Sequence, residues 1–353
     1  MKLVKLDPAH AKQFGRTLID GDILKLILSG TGCEFIFTGK KLVMSFGSGG
    51  IADSWSFPRI AVLVNEKFIV KKTINSAREE FTIFKSRSIS TIKVRIIKLS
   101  ESAFSIAEVF PIEIDDSEII VPSPERPLKI EFIGDSITCG YGVDDSNIDA
   151  LFSTCSENVM KSFSYRTAQI LNADHSIFSA SGYGIISGFT TNNTRKSTEC
   201  IPHYYKSFGY SLCKVFSDTY PQDIEWNFNR FIPDAIVINL GTNDHSFCKK
   251  NNLLKQEFEN AYLEFLKTVR RMNPDSHIFC VLGIMESELF PQVQNACNRF
   301  INTTGDMKIH TLEFELQDGN LGYAVNWHPS EDTHSFAAEK LAAFISDKLK
   351  EKR

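Results

Sequence analysis

The stretch LKIEFIGDSITCGYG, residues 128–142, reads as a strand that stops at a glycine and turns directly into a helix. Its first seven residues are dense in apolar side chains, the pattern of a strand covered on both faces. Gly134-Asp135-Ser136 falls where that strand ends. Open α/β sheets present their reactive groups at the carboxyl ends of strands. A serine at that place has its hydroxyl at the mouth of a site, and its backbone N–H near a helix N-terminus favours developing negative charge. The plainer alternative is that Asp135 or Ser136 caps the helix that follows.

Outward from this stretch, HSIFSA (175–180), DAIVINLG (234–241) and HIFCVLGI (277–284) repeat the buried-strand pattern. Amphipathic segments separate them, most clearly LLKQEFENAYLEFLKTVRRM (253–272), and HSFAAEKLAAFISDKLKEK (334–352) closes the chain as a helix. Strands alternating with helices predict a parallel sheet covered on both faces. Upstream the character changes. ILKLILS (23–29), CEFIFTG (33–39), KLVMSFG (41–47), EEFTIF (79–84) and TIKVRIIKL (91–99) are short β-prone runs, and AVLV and KFIV flank a tight hairpin at Asn65-Glu66. VPSPERP (121–127), with three prolines, reads as a semi-rigid linker. The expectation is therefore a β-sandwich or jelly-roll-like domain over residues 1–122, followed by an α/β domain over 128–353.

Composition narrows the function. The 39 basic and 43 acidic side chains leave a net charge of -4, which argues against a nucleic-acid partner and suits a neutral ligand such as a sugar. No run approaches the length of a membrane span, and the N-terminus lacks an apolar signal core, so a cytoplasmic protein is expected unless a leader was trimmed. The eight cysteines are Cys33, Cys139, Cys155, Cys200, Cys213, Cys248, Cys280 and Cys297. They form no CxxC pair and read as reduced thiols, with no zinc site and no metal or cofactor expected.

Three further segments fall after strands of the same sheet or before the last helix. FSASGYGI (178–185) offers glycines that let backbone approach a ligand, INLGTNDHS (238–246) offers the side-chain donor Asn243, and VNWHPSEDTHS (325–335) offers His328. Alone, they read more often as a turn, a loop cap and a structural histidine respectively. Their joint order is more specific. It resembles the SGNH hydrolase superfamily block by block: Ser136 in GDSI, Gly182 in SASG, Asn243 in GTND and His328 in WHPS. The wording GDSITCGYG, SASGYG and GTND, with a β-sandwich in front, is similar to carbohydrate esterase family 2, whose members deacetylate xylan and related glycans.

The resemblance implies a serine esterase. Ser136 is then the nucleophile and His328 the base, and the N–H groups of Ser136 and Gly182 with the Asn243 side chain hold the oxyanion. One departure stands out. The superfamily usually places an Asp two or three residues before the His, and here those positions are Asn326 and Val325. Some family 2 esterases use a Ser–His dyad with a backbone carbonyl orienting the His, so a dyad is expected, with Asn326, Glu331 and Asp332 as other candidate orienters. His334 competes with His328, but the His-Pro pair matches the block. Trp327, Tyr183 and Asp135 are the candidate substrate contacts, and the segment from Ile186 to Pro221, rich in Tyr and Phe, is expected to wall the cleft.

The other readings are a lipase or thioesterase of the same superfamily, an acyltransferase, and a carbohydrate-binding protein whose catalytic residues have decayed. A nucleotide site fits poorly, because GDSITCGYG is neither GxGxxG nor a P-loop. For the first domain, shaping the cleft, binding glycan and forming a homo-oligomer all stay open.

Overall fold

In the computed structural model, residues 1–350 apart from Ala52 and Ser54 are described. The first 122 residues are all strand and turn: β1 (Lys2–Val4), β2 (Lys12–Phe14), β3 (Thr17–Asp20), β4 (Ile23–Leu26), β5 (Gly32–Ile51), β6 (Arg59–Val64), β7 (Lys67–Thr73), β8 (Glu79–Lys98), β9 (Ser105–Val109), β10 (Ile112–Ile114) and β11 (Ile119–Pro122). The remainder alternates strands β12 (Leu128–Gly134), β13 (Ala173–Ser179), β14 (Ala235–Asn239), β15 (His277–Ile284) and β16 (Ile309–Leu316) with helices. These are α1 (Ser136–Cys139), α2 (Phe163–Ile170), α3 (Ile201–Tyr204), α4 (Thr242–Cys248), α5 (Asn252–Met272), α6 (Phe290–Thr304) and α7 (Glu331–Lys350). Among the described residues no helix is long and apolar enough to cross a membrane.

Four of the six β-prone runs expected between 33 and 99 are the halves of two 20-residue strands, β5 and β8, paired antiparallel from Gly32–Ile97 to Phe46–Glu79. Glycine and lysine at 39–41 do not end β5. The chain passes them with a register shift, a β-bulge that bends the strand while keeping it extended, and Lys40 N–H donates to Glu118 Oε1 at 2.9 Å. Bending lets β5 change partners, pairing with β2 and β11 near its start and with β9 near its end. Its inward side chains, Phe35, Phe37, Met44 and Phe46, build one core with Ile60, Val62, Val94 and Ile96. Asn65 and Glu66 turn the β6–β7 hairpin with both φ positive (48° and 66°), the turn whose twist suits paired strands.

The second half is a five-stranded parallel sheet in the order β13-β12-β14-β15-β16. Alternation divides it cleanly. Ile236, Ile238, Ile278, Cys280 and Leu282 pack against Phe258, Tyr262, Phe265 and Val293 of α5 and α6. Val237, Phe279 and Val281 pack on the other face against Phe163 of α2 and Ala338, Leu341 and Ile345 of α7. Edge strand β16 is absent from the sequence reading because its LEFEL pattern is only half-buried. The last helix begins at Glu331, three residues earlier than expected. Glu351 and Lys352, which the sequence reading includes in it, lie outside the described residues.

VPSPERP is tied down rather than a free spacer. Its first two residues pair in β11, Ser123 Oγ donates to Glu34 at 2.7 Å, and Arg126 N–H donates to Asp174 at 2.8 Å. The apolar cores also run across it. Leu28 belongs to the cluster under α5, and Phe14, Leu63, Ile97 and Leu99 belong to the cluster under α7. At the seam sits Arg16, fully buried. Its guanidinium donates to Glu131 of β12 at 3.2 Å and to the carbonyls of Tyr205 and Ser207. Its carbon lies 4.2 Å from the Phe178 ring centroid, and Glu131 accepts the Tyr205 hydroxyl at 2.7 Å. All eight cysteines are free and only Cys155 is exposed, its sulfur 3.4 Å from Thr73 Oγ1 of β7 across the seam.

A buried carboxylate stripped of its partner is costly. Arg16→Met is therefore expected to destabilise the protein by about 3–5 kcal/mol, and adding Glu131→Leu should recover a large part of that loss. Urea denaturation of the single and double variants measures both, and equal stability of wild type and Arg16→Met would remove Arg16 from this role.

Candidate active site

The strand order places β12 between β13 and β14, so the carboxyl ends of β12 and β14 flank the point where the sheet's connections reverse direction. There β12 ends and Asp135 caps α1, its carboxylate accepting Ile137 N–H at 3.0 Å. Ser136 occupies the first helical position, and its own N–H meets no protein acceptor among the described residues. Ser136 Oγ lies 2.9 Å from His328 Nε2.

The loop ahead of α7 brings His328 to that point. His328 Nδ1 lies 3.1 Å from the Val325 carbonyl, which also accepts the His328 backbone N–H at 3.1 Å. That carbonyl requires the proton on Nδ1 and leaves Nε2 as the acceptor facing Ser136. The Asn326 side chain is not on the ring: it donates to Tyr141 Oη at 2.9 Å on the cavity wall, and the backbone at 326 and 327 takes left-handed φ (52° and 63°). Two such non-glycine residues in a row cost about 1–3 kcal/mol each. The loop is fixed on several sides by Asn326 N–H to Ile148 O (3.0 Å), Ala324 N–H to His328 O (2.8 Å) and Gln317 Nε2 to Trp327 O (2.7 Å). Burial pushes the His328 imidazole down to about 4, against weaker opposing hydrogen bonds from Val325 and Asn326.

Gly182 lies in the turn after β13. Tyr183 N–H closes the turn onto Ala180 O at 3.3 Å, and Gly182 takes φ +81°, the third position of a type II turn. A Cβ at 182 would meet nothing within 4 Å, so glycine is required there by conformation and not by space. The Gly182 N–H has no protein acceptor among the described residues. Asn243, at the start of α4, donates from Nδ2 to Tyr183 O at 2.8 Å and to Asp135 Oδ2 at 3.2 Å. Both amide hydrogens are thereby committed, so Asn243 joins these N–H groups as a third donor only by releasing one of its partners. Asp135 and Asp244 are fully buried, and desolvation raises their carboxyl groups to about 7 and about 6.

Ser136, Gly182, Asn243 and His328 all line one cavity of about 880 Å³. Its other walls carry Tyr183, Tyr204 and Tyr210, which pack together with centroids 5.0–6.0 Å apart, and Phe189, Glu199 and Leu212 from the 186–221 segment. Asp135 touches Asn243 from below and is not part of the wall, because its carboxylate is spent on the α1 cap and on that amide. Trp327 packs edge-on against Tyr323 at 5.1 Å, is 55% exposed, and also lies off the wall. His334 is fully buried, its Nδ1 accepting Phe163 N–H at 3.1 Å, and Glu331 pairs with Arg166 and Lys161.

Sequence reasoning missed several contributors. Tyr141 packs on the His328 ring at 4.2 Å and stacks on Phe152 at 4.8 Å. His245 Nδ1 meets Glu286 Oε2 at 2.8 Å within the cavity wall. Glu101, Ala103 and Phe104 reach the cavity from the β-rich half. Tyr141, inside the quoted GDSITCGYG, was the most accessible of these from sequence.

The GDSL-like Lipase/Acylhydrolase family matches residues 132–334. The cellulase/esterase CelE of Acetivibrio thermocellus is 30% identical over 338 residues, which covers 92% of this chain. The chain spans 38% of that protein's length. An acetylxylan esterase / glucomannan deacetylase of Cellvibrio japonicus is 26% identical, over 72% of this chain and 69% of that one. The structure of a family two carbohydrate esterase from Clostridium thermocellum in complex with cellohexaose aligns with a TM-score of 0.81 at 28% identity, covering 96% of this chain and 99% of that one.

Because burial disfavours the imidazolium, His328 is expected to stay neutral in the folded protein as pH falls past the usual histidine value, and to take up its proton only near pH 4. Imidazole NMR across pH 3–8, with His328→Gln to assign the resonance, measures this, and a midpoint near 6.5 would contradict the buried geometry.

Proposed function

The chain belongs to the GDSL-like lipase/acylhydrolase family, and from that membership we propose that it is a serine esterase that removes O-acetyl groups from xylan-type or related oligosaccharides through a Ser–His dyad. The observation that carries this is the 2.9 Å contact of Ser136 Oγ with His328 Nε2, beside the uncommitted N–H groups of Ser136 and Gly182. The similarity to a cellulase/esterase and to an acetylxylan esterase / glucomannan deacetylase supports the acetylated-glycan substrate.

Ser136 Oγ attacks the ester carbonyl while its proton passes to His328 Nε2. The Val325 carbonyl keeps Nδ1–H in place and carries part of the imidazolium charge. The two backbone N–H groups hold the tetrahedral oxygen, with α1's first turn adding its positive end. Collapse breaks the C–O bond, and His328 returns the proton to the departing sugar hydroxyl. Water, deprotonated by His328, then attacks the acyl-enzyme; collapse breaks the bond to Ser136 Oγ, His328 returns the proton to that oxygen, and acetate leaves. A carbonyl stabilises imidazolium less than a carboxylate does, and the lowered His328 value agrees with that. The tyrosine and phenylalanine walls suit sugar rings, and the unpaired, mostly buried cysteines suit a reducing compartment.

Acetate release from an acetylated xylo-oligosaccharide tests the proposal, with a long-chain acyl ester beside it. Ser136→Ala and His328→Ala should each lower kcat by about 10⁴–10⁶-fold. Turnover of the long-chain ester alone would discard the carbohydrate substrate while leaving the dyad. Asn326→Gly, which keeps the left-handed backbone but deletes the amide, should cost less than about tenfold in kcat. A loss as deep as that of His328→Ala would make Asn326 part of the machinery. Because the base must be neutral, kcat/KM should hold as pH falls from 7 and be lost near pH 4, and an acid limb at 6.5 would contradict the dyad environment.

A further inference from the structure

β8 ends at Lys98, and the next three residues enter the seam between the two halves. Leu99 O accepts Val159 N–H at 3.1 Å, Arg59 N–H donates to Ser100 Oγ at 3.1 Å, and the Arg59 guanidinium donates to Glu157 O at 2.7 Å. This brings Glu101 to the cavity wall, 1% exposed. Its Oε2 accepts Ser181 N–H at 2.9 Å, and its own N–H donates to Glu157 Oε2 at 2.9 Å. Lys98 Nζ, also buried, donates to the carbonyls of Ser100 and Glu101 (2.9 and 2.6 Å) and not to either carboxylate. Carboxyl oxygens of Glu101 and Glu157 and the Cys139 sulfur lie within 4.8 Å of one another. Burial pushes both carboxyl groups above the usual carboxylate range, and the charge of Glu101 adds to the effect on Glu157. Burial lowers Lys98 to about 8, against the opposing charges of Glu157 and Glu101.

Ser181 is the residue before Gly182, and its N–H belongs to the peptide that enters the type II turn. Among the bonds that hold that turn are three on its peptide groups: Tyr183 N–H to Ala180 O, Phe189 N–H to Gly182 O at 2.8 Å, and Ser181 N–H to Glu101, beside the Asn243 amide on Tyr183 O. The first two are internal to the α/β half. The third comes from the β-rich half and fixes the peptide plane immediately preceding the one that carries the Gly182 N–H.

We infer that Glu101 is a positioning residue for the acyl-transfer reaction: its carboxylate holds the Ser181–Gly182 turn so that the Gly182 N–H points at the developing oxyanion. This rests on the esterase reading of Ser136 and His328. It gives the β-rich half a part in catalysis, because one support of the oxyanion donor is built on β8's end. Glu101 acts through the turn and does not touch the reacting atoms.

Steady-state kinetics on an acetylated xylo-oligosaccharide and on p-nitrophenyl acetate test it. Glu101→Ala should lower kcat about 10²-fold on both substrates with KM nearly unchanged, as expected when one transition-state donor is misaligned. Glu101→Gln, whose amide oxygen can still accept Ser181 N–H, should restore most of that loss. Glu101→Asp keeps the charge but withdraws it by one methylene, and should resemble the alanine variant. It also decides the matter if Glu101→Ala does not fold. Wild-type kcat in Glu101→Asp or Glu101→Ala, a glutamine variant no better than alanine, or a change confined to KM on the oligosaccharide would each overturn the inference. An inactive wild type on both esters would instead overturn the esterase reading.

Discussion

A guanidinium without water must find acceptors on the protein, and Arg16 finds them on two separate pieces of chain: Glu131 of the parallel sheet and the carbonyls of Tyr205 and Ser207 in the long segment after β13. Phe178, Tyr205, Trp226 and Phe228 surround it within 5.4 Å. Because it is fully buried, no alternative arrangement with water is open to it, and the relative placement of β12, the cavity-wall segment and the N-terminal strands is set together. That shared placement lets residues as distant in sequence as Glu101, Ser136, Tyr210 and His328 border one cavity.

Within the cavity the geometry rests on backbone groups more than on side chains. The Val325 carbonyl fixes the tautomer of His328, and the uncommitted donors beside Ser136 Oγ are the N–H groups of residues 136 and 182. Backbone groups carry no rotamer freedom, so a site built from them needs little reorganisation when charge develops. The cost appears as conformation: a glycine at φ +81° and left-handed backbone at Asn326 and Trp327, held by the bonds around them. Asn243 fits this scheme as well, its amide spent on the Tyr183 carbonyl and the buried Asp135.

Much of the parallel sheet was legible in the sequence, because buried strands such as AIVIN and HIFCVLGI are dense in apolar residues, and the segment after AIVIN opens with a glycine-containing turn. The four site residues were legible through their order after those strands. The β-rich half was readable as β but not in its strand count, because a bulge at Gly39–Lys41 and a break look alike in one dimension. Edge strand β16 lacked the apolar density that identifies its neighbours. The Val325 carbonyl was beyond reach for a different reason: every residue has a carbonyl, and only the backbone dihedrals say where it points. Arg16, Lys98 and Glu101 are charged residues in β-prone surroundings, and sequence gives no sign that their partners lie across a seam.

The distribution of thiols has a practical side. Seven of the eight sulfurs are enclosed, while Cys155 alone faces solvent, on the 141–162 loop and against Thr73 of β7. The unaltered chain therefore already carries one address for a maleimide dye or a nitroxide spin label, at the joint between the halves and on the loop that also supplies Tyr141 and Phe152 to the cavity. Spectroscopy of that joint during turnover needs no cysteine engineering.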